Sequence, residues 1–177
     1  MKCLVVIDMQ NDFVTGALGS QDAQAIVGKV TERVRCAADT GEEIIFTKDT
    51  HMENYLETQE GRKLPVPHCI AGTDGWEIIP ELQPFTDGRA VLEKPTFGSR
   101  QLGELLSELN GKEQLEQITV IGLCTDICVI SNAMVAKAFL PEVPLIVEAS
   151  CCAGVTLESH ENALRAMEIC QVTVKRS

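Results

Sequence analysis

Three side chains far apart in the sequence have the chemistry to attack a carbonyl together: Cys128, Asp8 and Lys94. Cys128 lies in the stretch 118–134, ITVIGLCTDICVISNAM. An apolar run at 118–121 has the length of one buried strand. The chain then passes Gly122, Leu123 and Cys124 into Thr125, a helix-capping residue type, and continues as a helical pattern at Ile127, Ala133, Met134 and Ala138. Cys128 is thus expected in the first turn after a strand-to-helix bend. There the helix dipole and free backbone N–H groups favour a thiolate and can hold an oxyanion. A free thiol titrates at roughly pH 8.5 and needs help at neutral pH. A carboxylate can take its proton and an ammonium can stabilise the charge, roles that suit Asp8 and Lys94. Singly, each has a plainer explanation: a turn cap for Asp8, a solvated surface lysine for Lys94, a small buried hydrophobe for Cys128. The placement of all three at strand ends favours the nucleophile.

A second group is Asp49-Thr50-His51 with Pro67-His68-Cys69. An Asp and a His one residue apart on an extended segment can face one ion. A second His from a loop completes a facial set and leaves positions for water or ligand. The residues alone also fit a pair of polar loop histidines.

The elements that must position these groups follow from periodicity. Residues 3–8, CLVVID, read as a central parallel strand buried on both faces. Residues 9–20 are a loop. A helix starts at Ser20, with Ala23, Ile26, Val27, Val30, Val34, Ala37 and Ala38 at helical spacing, and Gly41 stops it. Strands follow at 43–47 and 90–93, separated by a long irregular segment that holds two of the three histidines and the only Trp and Tyr. Irregular segments of that length in compact domains are commonly functional. Ser99 caps a helix with Leu102, Leu105, Leu106 and Leu109 on one face. Strands at 143–148 and 172–175 flank a last helix at 156–169. This alternation predicts one α/β domain: a three-layer α/β/α sandwich with helices on both faces of a six-stranded, mainly parallel sheet. Ligands in such sheets bind beyond the carboxyl ends of the strands, where strand order reverses. Asp8, Asp49, His51, Lys94 and Cys128 would converge there.

Composition narrows the partners. A formal net charge of −11 argues against nucleic acid and against an anionic membrane surface. No apolar stretch is long enough to span a bilayer. Met1 leads into a strand-like run without a cleavage pattern, and eight cysteines without a secretion signal suggest free thiols, their lack of paired CxxC spacing arguing against a zinc ribbon. Both point to a cytoplasmic protein with free thiols. Cys151 and Cys152 read as two free thiols in a turn, and Cys3, Cys36 and Cys170 as core. His160 reads as structural and Trp76 as an anchor for the long loop.

IDMQNDF with GAL behind it, then KPTFGS, then IGLCTDICV, resemble the isochorismatase-like cysteine hydrolases in order and spacing over nearly the whole chain. The resemblance implies an Asp8–Lys94–Cys128 triad. It also implies a cis peptide joining Leu123 and Cys124, with the N–H groups of Cys124 and Cys128 as the oxyanion hole. A cysteine at this position points to C–N hydrolysis. The nicotinamidase branch is similar at the DxH and PHC blocks, which implies a divalent metal, zinc with iron or manganese as alternatives, on Asp49, His51 and His68. The fourth ligand would be Glu60, with Glu57 as the alternative. The metal would hold the pyridine nitrogen of nicotinamide so that the amide carbon meets Cys128. Phe13 corresponds to the family's ring-stacking aromatic, and Leu18, Phe97, Leu123 and Ile127 would line the same pocket. The partners implied are a small-molecule amide and further copies of the chain in a homo-oligomer.

Overall fold

The computed structural model describes residues 1–176. Six strands form one sheet: β1 (Lys2–Ile7), β2 (Glu43–Asp49), β3 (Ala90–Lys94), β4 (Gln117–Leu123), β5 (Leu145–Ala153) and β6 (Thr173–Lys175). Their spatial order is β3-β2-β1-β4-β5-β6, and every pairing is parallel. The order reverses between β1 and β4, which places the carboxyl-end crevice there. Four long helices cover the faces: α2 (Gln21–Asp39), α4 (Arg100–Lys112), α5 (Ile130–Phe139) and α6 (Leu157–Ile169). Two short ones, α1 (Asn11–Val14) and α3 (Gln59–Lys63), sit in loops.

Strand alternation builds two cores from one sheet. On β1, Cys3, Val5 and Ile7 face the layer of α4, α5 and α6, where Leu102, Leu106, Ala133, Leu164 and Met167 are buried. Leu4 and Val6 face α2, which buries Ala23, Ile26, Val30, Val34 and Ala37. The helix starts follow their capping residues. The side chain of Ser20 accepts the N–H of Ala23, that of Ser99 accepts Leu102, and Thr156 forms a capping box with Ser159.

Several expectations need correction. Residue 8 leaves the strand: β1 ends at Ile7, and Asp8 turns into a positive φ of 47°. β2 extends through Asp49, because Gln10 and Lys94 supply pairing partners beyond the apolar run. Cys151 and Cys152 lie inside β5, not in a turn; both are buried and free. Successive strand residues face opposite layers, so Cys152 joins one core and Cys151 the other. Cys36 and Cys170 are exposed; of the three cysteines expected in the core, Cys3 is buried.

Gly122 is the tightest point of the sheet. It adopts φ +116°, and a Cβ there would lie 2.1 Å from the carbonyl oxygen of Ile7 on β1. Backbone cannot yield as a flexible side chain can. Gly122→Ala is therefore expected to lower stability by about 3 kcal/mol or more, read as a fall in urea midpoint with little change in slope. A loss below about 1 kcal/mol would show that β1 and β4 can separate cheaply.

Candidate active site

The carboxyl ends of β1, β2, β3 and β4 bring Asp8, Asp49, Lys94 and Cys128 together. Lys94, 1% exposed, reaches all the others. Its Nζ lies 2.7 Å from Asp8 Oδ2, 3.2 Å from Asp49 Oδ1 and 3.4 Å from Cys128 Sγ. Three acceptors around one ammonium outweigh burial and hold Lys94 above its ordinary range, hence charged. Asp8 is fully buried. Its Oδ1 accepts the Thr47 hydroxyl at 2.6 Å, and its own N–H donates to Thr47 Oγ1 at 3.2 Å. Oδ2 is held by its ion pair with Lys94 and has no other donor among the described residues. Burial pushes the Asp8 carboxyl above its usual range against the pull of Lys94, and Asp49 adds to the rise.

Cys128 sits in a π-turn, Thr125–Val129, that leads into α5. Burial first, then the Asp8 carboxylate, pushes its thiol well up, and Lys94 opposes them. Burial thus works against the favourable field of the helix start, in keeping with a thiol that needs a base. Thr125 does not cap the turn. Its hydroxyl pairs with His160 Nδ1 at 2.8 Å, while Cys124 takes the cap position. His160 thus braces the nucleophile turn from α6. The Leu123–Cys124 peptide is cis, as the resemblance implied. Cys124 itself is half-buried, and burial raises its thiol to about 12.

A second cluster adjoins the first through Asp49. Its Oδ2 lies 3.1 Å from His51 Nε2 and 3.7 Å from His68 Nε2; Glu60 Oε1 lies 3.7 Å from His51 Nε2 and 3.8 Å from His68 Nε2. Around an ion at roughly 2.1 Å, ligand atoms stand about 3.0 Å apart at right angles and about 3.4 Å apart at tetrahedral angles. The four residues therefore fit a divalent metal in both spacing and donor type. His68 Nδ1 donates to the Val66 carbonyl at 2.8 Å, which turns Nε2 toward the cluster, as the second nitrogen of a ligating histidine does. Hydrogen bonds from His51 and His68 and the charge of Lys94 overcome burial and hold Asp49 well below the carboxylate range. Glu60, not Glu57, is the acid in this group.

One cavity of about 1010 Å³ is lined by Cys128 of the first cluster and by Asp49, His51, Glu60 and His68 of the second. Phe13, Leu18, Phe97, Leu123 and Ile127 all line it, together with Cys124 and Cys128. The Phe13 and His68 rings are 5.5 Å apart.

Sequence reasoning missed four residues that shape the site. Thr47 is a polar residue inside the buried strand β2, and that break in pattern was its signal. Asn132 stands four residues after Cys128 on α5, buried among mainly apolar residues. It donates to the carbonyls of Cys128 and Phe97 and accepts from Ser99 N–H, tying the 97–99 loop to the nucleophile turn. Tyr55 packs its buried ring on His51 and His68, at 4.7 and 5.0 Å. Gln10 gave no signal beyond its place in a loop. Trp76 anchors the long loop as expected: its indole N–H donates to Thr50 Oγ1, and the ring lies under Lys48.

Known proteins resemble this chain along nearly their whole length. The nicotinamidase/pyrazinamidase of Mycobacterium tuberculosis is 27% identical, with 97% of each chain covered. The structure of a pyrazinamidase of Pyrococcus horikoshii in complex with zinc superposes with a TM-score of 0.84 at 26% identity, covering 99% of each chain. An N-carbamoylsarcosine amidase from Thermoplasma acidophilum gives 0.79 at 28% identity, over 99% of this chain and 96% of that one. The family model for the isochorismatase domain matches residues 2–176, and by that match the chain belongs to the isochorismatase family.

Proposed function

We propose that the chain deamidates nicotinamide, or a close analogue such as pyrazinamide, to the acid and ammonia through a thioester on Cys128. The coarser statement, a hydrolase of amide C–N bonds, follows from the family and its nicotinamidase relatives. The observation that carries the finer one is the adjacency of the two clusters. The Cys128 thiol and the Asp8 carboxylate share Lys94, which also meets Asp49 of a group of four metal-ligand types, and Cys128 and that group line one cavity.

In this reading Asp8 Oδ2 takes the thiol proton as sulfur attacks the amide carbon. The carboxylate is the base the thiol needs for attack. The N–H groups of Cys124 and Cys128 receive the oxyanion. Protonated Asp8 then gives its proton to the departing nitrogen, which leaves as ammonia. The same carboxylate activates water to cleave the thioester, releasing the acid and restoring the thiol. Lys94 stays charged and holds Asp8 and Cys128 in reach. Asp49, His51, Glu60 and His68 would hold a divalent ion: zinc, iron or manganese. When bound, it supplies a Lewis acid for the ring nitrogen of the substrate. Phe13 stacks on that ring.

The likeness to the N-carbamoylsarcosine amidase supports a second reading, hydrolysis of carbamoyl or ureido compounds without a metal. Ammonia release separates the two. Protein loaded with zinc, iron or manganese is expected to act on nicotinamide and pyrazinamide, to lose that activity to a chelator and to regain it on reloading. Turnover of carbamoyl compounds alone, indifferent to chelator, would install the second reading. Turnover of none would leave a non-catalytic thiol and metal binder.

Thr47 gives a pH test. Its hydroxyl stabilises the ionised form of Asp8, so Thr47→Val raises the Asp8 pKa further. The base must be deprotonated to act. The acidic limb of kcat/KM is therefore expected to move to higher pH, with the plateau lower. A limb that stays in place would assign it to another group.

A further inference from the structure

Asp49 serves both clusters, with Oδ1 on Lys94 and Oδ2 among the metal-binding atoms. It can do so only if its backbone is fixed. Sheet pairing fixes one side, through Lys94 on β3. On the other side the β1–β2 ladder stops at Val6 and Phe46, because the chain turns away at Asp8. Gln10 fills the gap. Its Oε1 accepts the Asp49 N–H at 2.7 Å, and its Nε2 donates to the Asp49 carbonyl at 2.9 Å and to the Trp76 carbonyl at 2.8 Å. The side-chain amide does what a neighbouring strand residue would do, and it is fully buried. Two residues on, Asp12 holds the other ligand-bearing segment. Its Oδ2 accepts the N–H of Cys69, next to His68, at 2.8 Å, and its Oδ1 accepts the N–H of Ala17 at 3.1 Å. Gly75 packs so close that a Cβ there would lie 2.2 Å from this carboxylate.

We infer that Gln10, seconded by Asp12, is a positioning residue for the divalent ion: the loop after β1 sets the backbone of both segments that present its ligands. This deepens the metal reading and rests on it. The chemistry at Gln10 is specific. Two carbonyl oxygens face one side of its amide, so that side must donate twice. Glutamate has the same shape, but it offers no donor when ionised and one when protonated.

The test uses the full chain loaded with cobalt(II). It compares the parent, Gln10→Glu, Asp12→Asn and a control, Leu106→Ala, buried in the opposite core. Visible d–d bands, the cobalt dissociation constant by chelator competition, and Tm are read for each. Gln10→Glu is expected to weaken cobalt binding roughly tenfold to hundredfold and to alter the bands. Asp12→Asn is expected to move both in the same direction, since its NH2 must oppose one of two N–H donors. Leu106→Ala is expected to lower Tm and leave the bands and affinity alone. Gln10→Glu with the parent's bands and affinity, at any Tm, overturns the inference and leaves the metal reading standing. If Gln10→Glu does not fold, unchanged bands and affinity in Asp12→Asn overturn it instead. A parent that takes up no cobalt, zinc, iron or manganese overturns the metal reading and this inference together.

Discussion

Cys128→Ala is expected to cut amide hydrolysis by roughly 10⁴-fold or more while leaving metal uptake unchanged. The loss is large because no other group replaces the sulfur. Cys124, the nearest thiol in sequence, lacks the contact with Lys94 Nζ that Cys128 has at 3.4 Å. Metal uptake is spared because the four metal-binding atoms come from Asp49, His51, Glu60 and His68, without the thiol. The fold should survive, since the substitution removes one buried sulfur from a large core and costs about 1–2 kcal/mol. Steady-state ammonia release measures the first effect, and metal analysis of the same preparation the second. Mass spectrometry of quenched parent enzyme should find an acyl adduct on the Cys128 peptide and none on the variant. Residual activity within tenfold of the parent would sink the thioester route. So would an adduct on another residue.

The meeting of Asp8, Lys94 and Cys128 was legible because each lies at or just beyond a strand end, and the rule that ligands gather at the carboxyl edge of a parallel sheet is topological. Two members of the metal cluster were legible for the same reason: Asp49 ends β2 and His51 lies two residues beyond. Distance from the PHC block favours Glu60 over Glu57, and on the short helix α3 Glu60 is the acid grouped with Asp49, His51 and His68. Two kinds of feature escaped. One is the state of the sulfur, because its pKa depends on how completely packing removes water, which local sequence does not encode. The other is backbone support from side chains. Gln10 and Asn132 act by completing hydrogen bonds that irregular backbone leaves open, and the need for them appears only once the strands have ended.

Lys94→Met carries the second large effect, on stability and activity together. The parent site balances one buried ammonium against the carboxylates of Asp8 and Asp49 and the thiol of Cys128, with the Thr47 hydroxyl as a further donor to Asp8. Removing one partner from such a set leaves buried charge without compensation and typically costs about 3–5 kcal/mol. The pH dependence identifies which charge. Burial already raises Asp8, and Lys94 is its main opposing influence. Without Lys94, Asp8 rises further above its unfolded value of about 3.9. Between those two values the native state binds more protons than the unfolded chain, so stability falls as pH rises. The deficit of the variant should therefore be smaller at pH 5 than at pH 8, when urea unfolding of metal-free protein is compared with the parent. A base held protonated cannot accept the thiol proton, and kcat should fall roughly 10²- to 10⁴-fold, recovering in part toward alkaline pH. An equal deficit at the two pH values would mean that Asp8 keeps its charge without Lys94. The lysine would then be needed to hold Cys128, and not to set the protonation of the acid.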